Sequence, residues 1–223
     1  MTKYFYEDTG MYIDWPQLNK LPEIDTLVDI GVSDWGTPDL YERFNTKKLI
    51  LIDPLEEAKN YAEKNLHHRE VKFFQTALGS KNGFIELNIE KRIGRSTILK
   101  VTDINSEGNP LEKRNVKINT LDKVLEKESD LGSLGIKIDT EGYELEVVRG
   151  AEKTLKRANF LIAEVRHNHE SFEGVYKLHE FMEIMRLNNF QLTMILTAKP
   201  FIADLCFQPI KNLEFKSNQK IFI

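Results

Sequence analysis

The sequence predicts an α/β domain built around a mostly parallel, seven-stranded sheet that ends in an antiparallel edge hairpin. Two observations carry that prediction. Short apolar runs alternate with longer amphipathic stretches, and the runs are too continuously apolar for strands with a solvent face. Strands buried on both faces and separated by helical segments imply βαβ crossovers and a parallel sheet. A third observation closes the edge: the last part of the chain carries strand-like runs with no helix between them.

Taken in order, the first run is Leu27-Val28-Asp29-Ile30-Gly31 and the second is Leu49-Ile50-Leu51-Ile52-Asp53, stopped by Asp53-Pro54. The third runs from Val71 through Phe74 and continues to Ala77-Leu78 before Gly79-Ser80. The fourth is Ile136-Lys137-Ile138-Asp139 and the fifth is Phe160 to Val165. Helices are expected over Leu55 to His68, Tyr143 to Arg157 and Val175 to Asn188. The second of these buries Leu145, Val148, Ala151 and Leu155 at helical spacing and ends in cations that suit the dipole. Gly83 to Glu90 alternates apolar and polar residues, as a half-exposed antiparallel strand does. Gln191 to Ile195, Asp204 to Ile210 and Lys220 to Ile223 read as the C-terminal strands.

At 223 residues, 41% hydrophobic and 30% charged, the chain suits one globular domain. The expected division is a cap over 1–25, a cofactor-binding core over 26–165, and acceptor-side and sheet-edge elements over 166–223. The net charge of −4 gives no reason to expect nucleic acid. Lys91, Arg92 and Arg95 form a local basic cluster, read as a solvated loop ahead of a phosphate grip. The single Cys206 cannot form an intramolecular disulfide and reads as a buried thiol. Without a signal-like or membrane-length apolar segment, a cytoplasmic protein with no membrane partner is expected. A homodimer stays open.

The most informative turn is Gly31-Val32-Ser33-Asp34-Trp35-Gly36-Thr37-Pro38. It follows a strand and leads into a helix that Pro38 can start. Gly31 and Gly36 allow tight backbone, and Asp53, ending the second strand, can accept hydrogen bonds from both ribose hydroxyls of an adenosine. The turn lacks the middle glycine of a pyrophosphate site and the lysine of a P-loop. Asp29 and Asp34 flank it and would repel phosphate, yet suit an ammonium and a sulfonium. S-adenosylmethionine fits this set, with Asp29, Gly31, Ser33, Asp34, Gly36, Asp53, Pro54, Ala77, Leu78 and Asp139 as its contacts. The simpler alternative is a tight turn with Asp53 as a helix cap.

The block Ile136-Lys137-Ile138-Asp139-Thr140-Glu141-Gly142-Tyr143-Glu144-Leu145-Glu146-Val147-Val148-Arg149-Gly150-Ala151 strongly resembles the signature of the FkbM-type methyltransferases. Val28 to Gly31, Thr76 to Ser80 and Asn119 to Asp122 resemble further blocks of that family, in order, over residues 25 to 165. The first glycine turn is one residue longer than the family's usual Gly-Ala-Asn-x-Gly. The resemblance implies a Rossmann-like class I methyltransferase fold, S-adenosylmethionine as donor, and O-methylation of a sugar, glycan or related small natural product.

Methyl transfer to a hydroxyl gains from a group that takes its proton. Asp139 and Glu141 end the fourth strand beside the expected cofactor turn and are the first candidates. His167 and His169, after the fifth strand, offer imidazoles that titrate near neutrality. Asp139 or Thr140 as a helix cap is the bland alternative. A divalent metal shared with Asp139 is the disfavoured option, and no metal ligand set is assigned. Two rival functions remain at this point: a nicotinamide-dependent oxidoreductase on the same fold, and a non-catalytic module that binds S-adenosylmethionine.

Overall fold

A computed structural model describes residues 16–67, 70–102, 112–167 and 172–212. After a 3-10 turn at Pro16–Lys20, β1 (Thr26–Ile30) leads to α1 (Pro38–Arg43), β2 (Lys48–Asp53), α2 (Glu56–Asn65) and β3 (Val71–Gln75). Four strands follow: β4 (Ala77–Leu78), β5 (Gly83–Ile89), β6 (Lys100–Val101) and β7 (Glu112–Asn119). Next come α3 (Leu121–Leu125), β8 (Leu134–Ile138), α4 (Glu144–Arg149), α5 (Glu152–Leu155) and β9 (Ala158–Arg166). The described chain closes with β10 (Phe172–Glu173), α6 (Leu178–Leu187), β11 (Phe190–Ala198) and β12 (Ile202–Pro209).

The main sheet has seven strands in the order β11-β12-β9-β8-β1-β2-β3. The five from β3 to β9 pair in parallel, and β12 lies antiparallel to both β9 and β11. Every residue of β1 and β8 is buried, as strands covered by helices on both faces require. Period-two alternation divides the core between the faces. Val28, Ile30, Ile50, Ile52, Ile136 and Ile138 pack under α4 to α6, while Leu27, Leu49, Leu51, Phe160 and Ile162 pack with Leu40, Phe44, Ala58 and Ala62. The chain winds from β1 to one side through β2 and β3, then to the other through β8 and β9. The strand order therefore reverses beside β1, where open α/β sheets form their ligand crevice.

Several expected elements are corrected. The third run does not continue in one sheet: Thr76 breaks it, its N–H donating to Asp53 O, and β4 pairs with β7 in a separate β4-β7-β5 sheet. The half-exposed strand expected at Gly83 is β5, antiparallel to β7. The helix expected over Tyr143 to Arg157 is two helices. A Cβ on Gly150 would stand 2.1 Å from the carbonyl oxygen of Gly79, so the backbone pauses there to dock against the β4–β5 connection. The last helix starts three residues later than expected, at Leu178, because the extended Lys177 caps it, its N–H donating to the Glu180 carboxylate. Lys220 to Ile223 and His68 lie outside the described residues. Cys206 is buried on β12, and burial pushes its thiol up to about 12. Among the described residues, no helix is long and apolar enough to cross a membrane.

Candidate active site

The carboxyl ends of β2, β1 and β8 are stitched together by backbone hydrogen bonds. Gly31 N–H donates to Ile52 O at 3.0 Å and Asp139 N–H donates to Ile30 O at 2.9 Å. Gly31 adopts a left-handed backbone with φ of 82°, and a Cβ there would sit 1.6 Å from the Asp139 carbonyl oxygen. The glycine is required chiefly so that the first turn can lie against the acidic loop after β8. Ser33 and Glu141 are also left-handed, at φ of 57° and 52°. Non-glycine residues held there are strained, and both stand at the mouth of one cleft.

That cleft has an empty volume of about 580 Å3. Its apolar walls include Ile52, Leu55, Leu78, Leu87, Ile93 and Ile98, and its polar lining includes Ser33, Asp53, Asp139 and Glu141. Among the described residues, no lysine or arginine lines it. Asp53 is buried, one carboxylate oxygen accepting from Ser33 N–H at 2.9 Å and the other from Leu55 N–H at 2.8 Å. Each oxygen keeps a lone pair for a further donor. Burial pushes this carboxyl up to about 6 against the pull of those amides. An apolar slot with a hydroxyl-accepting carboxylate at one end and more carboxylates at the other fits adenosine joined to a cationic tail. It is a poor fit for a pyrophosphate, which would face three carboxylates and no cation.

The acidic end is held by a dense hydrogen-bond network. Glu144, almost fully buried, accepts from Thr140 N–H, Thr140 Oγ1 and Gly142 N–H on one oxygen, and from Tyr176 Oη at 2.8 Å on the other. Thr97 Oγ1 donates to the Glu141 carbonyl at 2.7 Å, and the Arg166 guanidinium donates to the Glu141 carboxylate. Carboxylate oxygens of Asp139, Glu141 and Glu164 lie within 4.8 Å of one another. Lys137, buried behind them, reaches Asp139 Oδ2 at 3.2 Å. Burial opposes its charge, but the carboxylates of Asp139, Asp204, Asp29 and Glu164 outweigh that and hold its pKa above the ordinary value. Burial pushes Glu141 up, opposed by Arg166 and reinforced by Asp139 and Glu144. Glu164 is raised by burial and by the charges of Asp139, Glu141 and Asp204. The three carboxylates have the donor set of a divalent-cation site, but Lys137 and Arg166 already place positive charge against them.

The structure brings Gly31, Ser33, Asp53, Pro54, Ala77, Leu78, Asp139 and Glu141 to this cleft. Asp29 faces the other way, fully buried, its carboxylate accepting from Thr37 Oγ1 and Tyr41 Oη. Asp34 is exposed and accepts from Ser33 Oγ. Gly36, with φ of 62°, clears the rings of Tyr61 and Tyr41. His167 stands outside the cleft, its Nε2 at 3.0 Å from Lys199 O, and His169 lies outside the described residues. Neither Tyr176 nor the pairing of Arg166 with Glu141 was expected, because their segments carry no local site signal.

A doubly wound sheet whose switch point opens into an apolar cleft with carboxylates at its ends is the setting in which this fold class holds a nucleoside ligand. The FkbM methyltransferase domain matches residues 28–192, and the chain belongs to that family. It is a methyltransferase dependent on S-adenosylmethionine. No curated protein sequence matches the chain. Solved structures similar to it include ribosomal protein L11 methylase from Lactobacillus delbrueckii subsp. bulgaricus, at 10% identity and a TM-score of 0.46 over 87% of this chain and 76% of that one. Magnesium protoporphyrin IX methyltransferase from Synechocystis PCC 6803 is similar at 11% identity and a TM-score of 0.46, over 87% and 74%. An S-adenosylmethionine-dependent methyltransferase from Aquifex aeolicus is similar at 15% identity and a TM-score of 0.46, over 87% and 88%.

Proposed function

We propose that the chain methylates a hydroxyl of a sugar, glycan or related small natural product, with Glu141 as the base and Asp139 orienting the acceptor. The observation that carries this reading is the convergence of Asp139, Glu141 and Glu164 at the end of β8 and β9, beside the adenosine-shaped slot. S-adenosylmethionine supplies, when bound, a methyl group on a positively charged sulfur. Asp53 would hold the ribose hydroxyls, Gly31 and Ser33 the backbone turn near the amino-acid end, and Ala77 and Leu78 the apolar wall of the slot. With that cofactor bound, Glu141 would take the proton of the acceptor hydroxyl as the methyl group moves from sulfur to the acceptor oxygen, leaving the demethylated cofactor. Buried carboxylates with raised affinity for protons suit that step, because a base works best when its pKa lies near the operating pH.

His167 makes no contribution on this reading, since its ring turns to the Lys199 carbonyl away from the slot. The test is transfer of isotopically labelled methyl to a panel of sugars and amines, with Glu141→Gln in parallel. Label on oxygen, and a kcat lowered about 100-fold in Glu141→Gln with cofactor affinity kept, is the expected result. Label on nitrogen, or a Glu141→Gln enzyme as fast as the parent, overturns it.

A further inference from the structure

The segment from Lys91 to Ser96 bridges the two ends of the cleft. Its 3-10 turn, Ile93–Arg95, places Ile93 and Gly94 on the cleft lining. Gly94 packs against the Trp35 ring and Ser33 Oγ, where a Cβ would stand 2.4 Å and 2.8 Å from them. Three residues later, Thr97 is tied to the Glu141 carbonyl. The roof therefore runs from the cofactor turn to the acidic loop.

This roof carries Lys91, Arg92 and Arg95. Arg92 lies over the Trp35 ring at 5.2 Å from its centroid. Lys91 and Arg95 are exposed, and neither side chain makes a hydrogen bond or ion pair among the described residues. Lys72, Lys113 and Arg186, by contrast, are paired with Glu128, Glu86 and Glu183. The charge of Arg95 favours the ionised form of Glu141. The cleft lining is thus rich in carboxylates and without a lysine or arginine among the described residues, while the roof beside it carries three cations.

We propose that the acceptor carries a phosphate, held at this lip by Arg95 and Lys91 with Arg92, while its hydroxyl reaches Glu141. This rests on the reading of the site as acting on a hydroxyl. Guanidinium and ammonium groups without a protein partner are ready donors to phosphate oxygens, and Arg offers a bidentate fork. The carboxylates inside would keep the phosphate at the mouth and so orient the acceptor with its hydroxyl inward. A phosphate ester of a sugar and a nucleoside-diphosphate-linked sugar share this chemistry.

The test uses the full chain saturated with S-adenosylhomocysteine and titrated calorimetrically with inorganic pyrophosphate at 0.15 M salt, where long-range effects are screened. Saturable binding is expected, weakened at least tenfold in a Lys91→Ala/Arg95→Ala variant. A Lys47→Ala/Lys117→Ala variant removes the same charge from exposed positions elsewhere and should bind like the parent. A hexose phosphate and a nucleoside-diphosphate hexose, titrated in turn, distinguish the two sources by which binds more tightly. Absence of saturable pyrophosphate binding, equal weakening in both double variants, or a neutral hexose binding as tightly as the phosphorylated ones overturns the proposal. With S-adenosylhomocysteine bound normally, such a result leaves the hydroxyl reading standing; failure of S-adenosylhomocysteine to bind overturns both.

Discussion

Asp53→Asn separates what this carboxylate costs the fold from what it does for the ligand. Burial raises its carboxyl from 3.8 to about 6. An acid whose pKa is raised by folding binds more protons folded than unfolded between those values, so stability falls as pH rises through that window. The difference amounts to about 3 kcal/mol, fully developed above pH 6 and absent below about pH 4. Asn keeps the shape but cannot ionise. Its amide turns one N–H towards the Ser33 or Leu55 amide, at a cost of about 1–3 kcal/mol that does not vary with pH. Denaturant unfolding of parent and variant from pH 4 to pH 8 should give curves that converge as pH rises. Cofactor affinity should move the other way. Hydroxyl bonds to an ionised carboxylate are worth roughly 1.5–3 kcal/mol each, so the variant should bind S-adenosylmethionine at least tenfold more weakly at pH 7.5. Parallel stability curves would refute the burial cost of this carboxylate, and undiminished binding would refute its assignment to the ribose.

Two further substitutions probe how the site is held. Gly31→Ala should destabilise the fold by more than about 3 kcal/mol in thermal or chemical unfolding, because the new Cβ meets the Asp139 carbonyl and the backbone is left-handed; a loss below about 1 kcal/mol contradicts the close approach. Glu144→Ala leaves the Tyr176 hydroxyl and two backbone amides without their acceptor and should cost about 3–5 kcal/mol. Glu144→Gln can accept from the loop and donate to Tyr176, and should recover most of that stability. Equal losses in both variants would show that hydrogen bonding of this loop is not what matters.

Much of the fold was legible because the main strands are apolar on both faces and end in glycine, proline or carboxylate. Leu49 to Asp53 and Ile136 to Asp139 have no other stable setting than the middle of a parallel sheet. The cofactor turn and acidic loop were legible for the same reason: they are the segments at strand ends. β7 was not. Its sequence, Glu-Lys-Arg-Asn-Val-Lys-Ile-Asn, is polar, and only Val116 and Ile118 turn inward. Arg114 on this strand is an ion-pair partner of Glu57 on α2. The split after Arg149 was hidden because Ala151 and Leu155 keep the helical burial period across the break. The meeting of Glu164 and Arg166 with Glu141 depends on strand pairing that no local pattern records.

The most direct measurement is calorimetric titration of the full chain with S-adenosylmethionine and, separately, with NAD. The apolar slot, the hydroxyl-accepting Asp53 and a lining without cations predict binding of S-adenosylmethionine with a dissociation constant on the order of micromolar, and none of NAD at the same concentrations. Preference for NAD, or no binding of S-adenosylmethionine, would contradict the assignment of this cleft as the cofactor site.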